Sequence, residues 1–315
     1  MGSVYIQANT DGKLHSAEKP SISPLNRGFL YGDAIYEVWR TYDGILFAWD
    51  EHWQRLQRSA QALGFLLAFT QPDLLKQIKR TVSAFCRKSG ATADLYIRLQ
   101  VTRGAGAIGL NTVLADKLSY VLLIQTLKAP APEQVARGIK LGLAKSLHRN
   151  HPSTLNPSWK TGNYLNNILC LREALAAGAE EVVMTNLAGE ITESAVANIG
   201  FVRNGALHTP PLSAGILEGI TRALLVGPVA RAAGVAVHET AIRPEDLGSF
   251  TECFLTGTTR EIHSVVSIDD TRFTVGPDTV TAKLQRAFED YTRAYVSEHR
   301  RLRVLPKSPK PLTPS

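Results

Sequence analysis

Asn156-Pro-Ser-Trp-Lys-Thr-Gly-Asn-Tyr164 sets one lysine, Lys160, beside a tryptophan and just ahead of an apolar helical stretch, about Asn163 to Ala177, that stops at Gly178. A lysine there is ordinarily solvated. In a half-buried aromatic setting it instead has a lowered pKa and forms Schiff bases. Downstream, Gly189-Glu-Ile-Thr-Glu-Ser-Ala-Val-Ala-Asn198 surrounds Glu193 with small and apolar residues just before a strand. Such a glutamate is either a surface turn residue or a carboxylate that keeps a ring nitrogen protonated. Two further segments suit an anion. Gly215-Ile-Leu-Glu-Gly-Ile-Thr-Arg222 opens a helix whose unpaired N–H groups at Ile220 and Thr221 favour phosphate. Thr256-Gly-Thr-Thr-Arg-Glu-Ile262 follows a strand and sets the Thr258 and Thr259 hydroxyls beside Gly257, which permits close approach. Each is also an ordinary cap signal on its own. Arg55, read on the outward stripe of a helix beginning at Asp50, has the fork for bidentate phosphate pairing.

Outward from these segments the chain mixes strands and helices, without regular alternation and without repeats. The first half reads as strands at 4–9 and 44–48, a helix capped by Asp50 and closed at Gly64, a second helix from Pro72 to about Arg87, and strands at 94–102 and 118–127. Lys128-Ala-Pro-Ala-Pro-Glu133 reads as a stiff extended connector. The second half reads as strands at 138–144, 181–185, 235–240 and 253–255, a hairpin across Asn204-Gly205, and helices at about 220–233 and 279–298. The expected division is 1–128 as an N-terminal α/β domain, 129–133 as linker, 134–299 as a C-terminal domain and 300–315 as a disordered tail. Gly104-Ala-Gly-Ala-Ile-Gly109 lies between strands and opens no helix, so it is not a dinucleotide fingerprint.

With 315 residues, 44% hydrophobic and 20% charged, the chain is long enough for two buried cores and is neither rod-like nor disordered. No apolar run approaches the ~20 residues that cross a bilayer. The start lacks a basic segment followed by an apolar one, and three scattered cysteines make neither a disulfide framework nor a zinc site, so the expected compartment is the cytoplasm. The net charge of +7 does not point to nucleic acid: Arg300, Arg301, Arg303, Lys307 and Lys310 stand in an acid-free tail, and the body is close to neutral.

Taken together, Lys160 with Asn163-Tyr164, Glu193 with Asn198, Gly219-Ile-Thr-Arg222 and Gly257-Thr258, in that order and spacing, resemble the fold-type IV pyridoxal-phosphate enzymes. Asn26-Arg-Gly-Phe-Leu-Tyr-Gly-Asp-Ala-Ile-Tyr-Glu37 and Glu51-His-Trp-Gln-Arg-Leu56 are similar to that family's N-terminal signatures, and the resemblance covers about residues 5–295. It implies an α+β fold of a small N-terminal α/β domain and a larger C-terminal pseudobarrel, at least dimeric, with pyridoxal 5′-phosphate as cofactor. It also implies roles. Lys160 would hold the cofactor covalently and shuttle a proton, and Glu193 would pair with the ring nitrogen. Arg55, the backbone at Ile220 and Thr221, and Thr258 beside Gly257 would hold the phosphate. Tyr164 would bond the phenolic oxygen, and Leu217 would lie against the ring.

The resemblance further implies ping-pong transamination between a small-molecule amino donor and a 2-oxo acid. Tyr96-Ile-Arg98, Asn163-Tyr-Leu165 and Thr209-Pro-Pro211 resemble the branched-chain enzymes, whereas Arg27–Glu37 and Val101-Thr-Arg-Gly104 look closer to the D-amino-acid and (R)-amine branches. The loop Ala105-Gly-Ala-Ile-Gly-Leu110 carries no Arg-x-His carboxylate trap of the D-amino-acid kind. Substrate candidates are Tyr31, Tyr36, Arg98 and Thr259. The expectation is a transaminase for aliphatic or branched-chain amino acids with 2-oxoglutarate as acceptor. The alternatives are an aminodeoxychorismate lyase, a D-amino-acid or (R)-amine transaminase, or a passive phosphate-ligand-binding protein.

Overall fold

The computed structural model describes residues 5–115 and 117–305. The chain divides after Lys128. One unit runs to that residue and takes up the segment from Thr292 onward; the other is Ala129–Tyr291.

The first unit contains β1 (Gln7–Thr10), β2 (Lys13–Ser16), α1 (Arg27–Tyr31), β3 (Ala34–Tyr42), β4 (Ile45–Leu46), α2 (Trp49–Ala62), α3 (Gln71–Ser89), β5 (Leu95–Thr102) and β6 (Ser119–Thr126). Its strands form one sheet in the order β2-β1-β6-β5-β3-β4. Strand alternation assigns the two faces. Ile35, Glu37 and Trp39 of β3 stand in register with Val101, Leu99 and Ile97 of β5, and the row continues to Leu122 and Ile124 of β6. All eight are fully buried, with α2 lying along β3 and α3 along β1 and β6. The opposite face presents Tyr36, Arg98 and Gln100. Thr70 and Asp73 form a reciprocal capping box that starts α3 at Gln71, with Pro72 inside the first turn.

Two expectations for α2 are corrected. Asp50 is not its cap: Ala48 precedes the helix with φ +50° and offers no capping side chain, while Asp50 lies within the first turn, near the positive end of the dipole. Arg55 is not outward. His52, Arg55, Leu56, Ser59 and Ala60 repeat at helical spacing on the buried side, which takes Arg55 with them. Arg55 donates Nε to Glu37 Oε1 at 2.7 Å and Nη2 to Oε2 at 2.8 Å, and His52 Nδ1 lies 2.7 Å from Oε2.

Burial raises the Glu37 pKa, but the charges and hydrogen bonds of Arg55 and His52 more than offset it and hold the carboxyl far below the ordinary 4.5. A depressed folded-state pKa means this stabilisation is complete above the ordinary carboxyl value and fades only as pH falls from there toward the folded one. Glu37→Gln leaves a buried cation without its counter-charge. It is expected to cost about 3–5 kcal/mol, read as a lower urea midpoint at pH 7.

The tail expectation is corrected in part. Arg300–Leu302 forms a 3-10 turn, and Leu302, Val304 and Leu305 are buried. Val304 N donates to Gly44 O at 2.8 Å, and Arg303 pairs with Asp43. Three apolar residues among the basic ones are enough to anchor this piece. Residues 306–315 of the expected tail lie outside the described ones.

The second unit contains α4 (Pro132–Arg137), β7 (Ile139–Leu143), α5 (Leu165–Ala176), β8 (Glu181–Thr185), β9 (Ile191–Ser194), β10 (Asn198–Arg203), β11 (Ala206–Thr209), α6 (Ile220–Leu224), α7 (Ala230–Ala232), β12 (Val237–Glu239), β13 (Glu252–Gly257), β14 (Glu261–Ile268), β15 (Thr271–Arg272) and, as far as Tyr291, α8 (Val280–Glu298). The expected connector is shortened, because Pro132 occupies the first turn of α4, where its missing N–H costs nothing. Strands β10, β13, β14, β7, β8 and β9 pair in succession, and β9 pairs back to β10 through Glu193 and Asn198. Six strands therefore close on themselves, which removes the free edges. Ile139, Leu141, Val183, Ile199, Phe201, Leu255 and Val265 fill the core. Between α6 and α7 the helix widens into a π segment, Leu225–Val229, around Pro228, which has no N–H to give. Strands β3, β9 and β14 were not expected from the sequence, because Glu37, Glu193 and His263 interrupt their apolar pattern.

Candidate active site

The residue pair that closes the barrel also builds the site. Glu193 sits inside β9 and is 5% exposed, so it is not the surface turn residue its sequence also allowed. Its two oxygens meet three N–H donors. Arg149 Nε reaches Oε1 at 2.8 Å, while Asn198 Nδ2 at 3.0 Å and the Leu217 backbone N–H at 3.1 Å reach Oε2. A carboxylate offers about four acceptor sites, so this one retains capacity for a further donor. Burial pushes the Glu193 carboxyl above the ordinary carboxylate value; the Arg149 charge leads the opposing effects, with Lys160 also lowering it. Lys160 is thus within electrostatic reach and half-buried. Tyr164 stands at the start of α5, and Asn167 of that helix donates to Ala195 O at 2.8 Å, which ties the helix after Lys160 to the turn after Glu193.

Beside the carboxylate the chain comes unusually close. Asn198 Nδ2 donates to Leu217 O at 2.9 Å, and a Cβ placed on Gly219 would stand 2.0 Å from Asn198 Oδ1. Only glycine fits there. Gly219 leads into α6, and Ile220 and Thr221, both buried, have N–H groups without an intrahelical acceptor. Register sets Glu193, Asn198 and Thr256 in one row across β9, β10 and β13. Thr256 is 2% exposed and its hydroxyl has no partner, an orphaned polar group on the face of the site. Gly257, Thr258 and Thr259 follow, half-buried, as β13 turns into β14. A buried carboxylate, a lysine, a helix mouth and an unsatisfied hydroxyl suit a ligand that pairs a protonatable ring with an anionic group.

The sequence model of the amino-transferase class IV family matches residues 34–268. The chain belongs to the class IV aminotransferases. Among its relatives, a protein of Methanocaldococcus jannaschii assigned as a branched-chain-amino-acid aminotransferase is 33% identical over 89% of this chain and 94% of its own. The D-alanine aminotransferase of Bacillus licheniformis is 31% identical over 89% and 95%. The branched-chain aminotransferase of Thermoproteus uzoniensis, solved with norvaline, superposes with a TM-score of 0.83 at 29% identity, covering 95% of this chain and 98% of that one. Solved structures of this fold hold pyridoxamine 5′-phosphate or pyridoxal 5′-phosphate. Membership in an enzyme family sets aside the passive ligand-binding reading.

The remaining site candidates of this aminotransferase lie in its first unit. Arg98 stacks its guanidinium 3.9 Å from the centre of the Tyr36 ring and donates to Gln100 Oε1 at 3.0 Å. Tyr31 accepts the Gly109 N–H through its hydroxyl at 3.2 Å. Arg27 donates to the carbonyls of Gly109 and Leu110 and to Asp33, which fixes α1 to the 105–110 loop. Arg55 is held by Glu37 as described. Arg149 and Thr256 escaped the sequence reading. Arg149 follows β7 in Leu147-His-Arg149, a stretch without any motif. The signal that points to it is the need of a buried Glu193 for a cation.

Proposed function

We propose that this aminotransferase moves an amino group between an aliphatic or branched-chain amino acid and a 2-oxo acid such as 2-oxoglutarate, with pyridoxal 5′-phosphate held in the second unit. The observation that carries the reading is Glu193, buried where the barrel closes, with spare acceptor capacity and the charge of Lys160 acting on it. The residues fit the cofactor. Lys160 would hold it covalently through Nζ, Glu193 would accept a hydrogen bond from its ring nitrogen, and Leu217 would flank the ring. Tyr164 would bond its phenolic oxygen. Ile220 and Thr221 N–H and the Thr258 hydroxyl beside Gly257 would hold its phosphate. When bound, the cofactor supplies an electron sink for the bond cleaved at the substrate Cα. When it is not covalently engaged, Lys160 Nζ would take that proton and return it. Thr259, which follows Thr258 in the second unit, would receive the substrate.

Sequence similarity to D-alanine aminotransferase favours a second reading, transfer from D-amino acids. The 105–110 loop speaks against it: the loop presents Ile108, 75% exposed, and Leu110, 78% exposed, where a cation would be needed. These residues and Phe29 of α1 are large apolar side chains left exposed, which supports a homodimer. Three free thiols are in keeping with a cytoplasmic enzyme.

A substrate panel tests the reading. Glutamate-dependent amination of 4-methyl-2-oxopentanoate to leucine is expected to exceed transfer from D-alanine at least about tenfold in kcat/KM, the scale of roughly 1.4 kcal/mol in transition-state binding. Faster transfer from D-alanine, or release of 4-aminobenzoate from aminodeoxychorismate, would overturn it.

A further inference from the structure

Glu37 and Glu193 are both buried carboxylates, and their surroundings treat them differently. Glu37 has a bidentate arginine and a histidine, and its carboxyl is held far below the ordinary value. Glu193 has one Nε–H from Arg149 and two neutral donors, and burial prevails. Its charge therefore depends on Arg149, which is itself 10% exposed and directed onto Oε1. The arginine is firmly placed. Its backbone N–H donates to Thr185 O at 2.8 Å, at the end of β8, and its Nη1 lies 3.5 Å from Asn167 Oδ1 on α5. Strand β8 thus holds the backbone of Arg149, while helix α5 and strand β9 meet its guanidinium. Among the groups acting on Glu193, Arg149 and Lys160 are the charged ones, and Arg149 acts the more strongly.

We infer that Arg149 is a positioning residue that decides where the proton shared by Glu193 and the cofactor's ring nitrogen resides. The inference rests on the function proposed above. With the guanidinium against Oε1, the ionised carboxylate is favoured and the proton stays on the ring nitrogen. Without it, a buried ion pair between carboxylate and ring loses its compensating charge, and the proton moves to Glu193. The ring is then neutral and a weaker electron sink. No bond other than this N–H···O proton position changes, so the step balances within the pair.

The test reconstitutes wild-type, Arg149→Gln and Arg149→Lys enzyme with pyridoxal 5′-phosphate labelled with ¹⁵N in the ring and reads the ring-nitrogen shift by NMR. Wild type is expected in the protonated position, R149Q in the unprotonated one, and R149K near wild type, since the lysine restores the charge. The kcat of R149Q is expected to fall on the order of 10²-fold, with KM changing far less, because the lost interaction acts on the transition state. A protonated ring in R149Q overturns the inference. Should R149Q not fold, R149K decides: an unprotonated ring there shows that charge is not the agent and overturns it equally. If wild type itself takes up no cofactor, the proposed function fails first, so the two failures are separable.

Discussion

Lys160→Ala enzyme is expected to be purified without the yellow colour of a covalently held cofactor and to turn over amino donor at least about 10³-fold more slowly than wild type, the scale of losing an activated covalent group. Borohydride followed by peptide mass mapping provides the check. Wild type should gain one cofactor mass on the peptide containing Trp159 and Thr161, and the variant none. The substitution is mild for the fold. Lys160 is half-buried in the irregular stretch before α5, outside the hydrophobic clusters of the second unit. An unchanged circular dichroism spectrum would therefore accompany the loss of chemistry. Turnover within tenfold of wild type, or borohydride labelling at another lysine, would remove Lys160 from the site.

Glu193→Gln is expected to have the next largest effect. The amide keeps the shape and still accepts from Asn198 and Leu217, but it loses the charge that holds a ring nitrogen protonated. A fall in kcat of roughly 10²–10³ is expected, with a smaller change in KM. The variant also carries a signature in the cofactor-free protein. Burial raises the Glu193 carboxyl in the folded state, so its contribution to stability is present below the ordinary carboxyl value and is lost as pH rises through the raised one. Urea midpoints of cofactor-free wild type should show that decline, and E193Q should not. Equal slopes in the two proteins, together with undiminished kcat, would place the ring nitrogen elsewhere.

These expectations separate the parts of the molecule that local sequence could and could not describe. The hairpin at Asn204-Gly205 was legible because two consecutive residues adopt positive φ, 52° and 75°, which that dipeptide permits. Strand β8 was legible from the β-branched Val182, Val183 and Thr185. Strand β3 was not, because Glu37 looks like a solvent residue until Arg55 and His52 are brought against it. The same holds for β14, whose His263 and Ser264 are buried against the apolar rule.

Of the site, the order Lys160, Glu193, Ile220-Thr221 and Gly257-Thr258 was written in the chain, since each element carries its own chemistry at a turn or strand end. The side on which Arg55 falls was not. A helix turns by about 100° per residue, so an inward stripe through His52, Leu56 and Ser59 carries the guanidinium from solvent to Glu37. Nor did any local pattern announce Arg149. Its role exists only because β9 folds back onto β10 and buries a carboxylate that then requires a cation. Residue types and their spacing thus determined the chemistry available to this protein. Long-range strand pairing decided which charges are desolvated together, because desolvation is a property of the packed neighbourhood and not of any segment by itself.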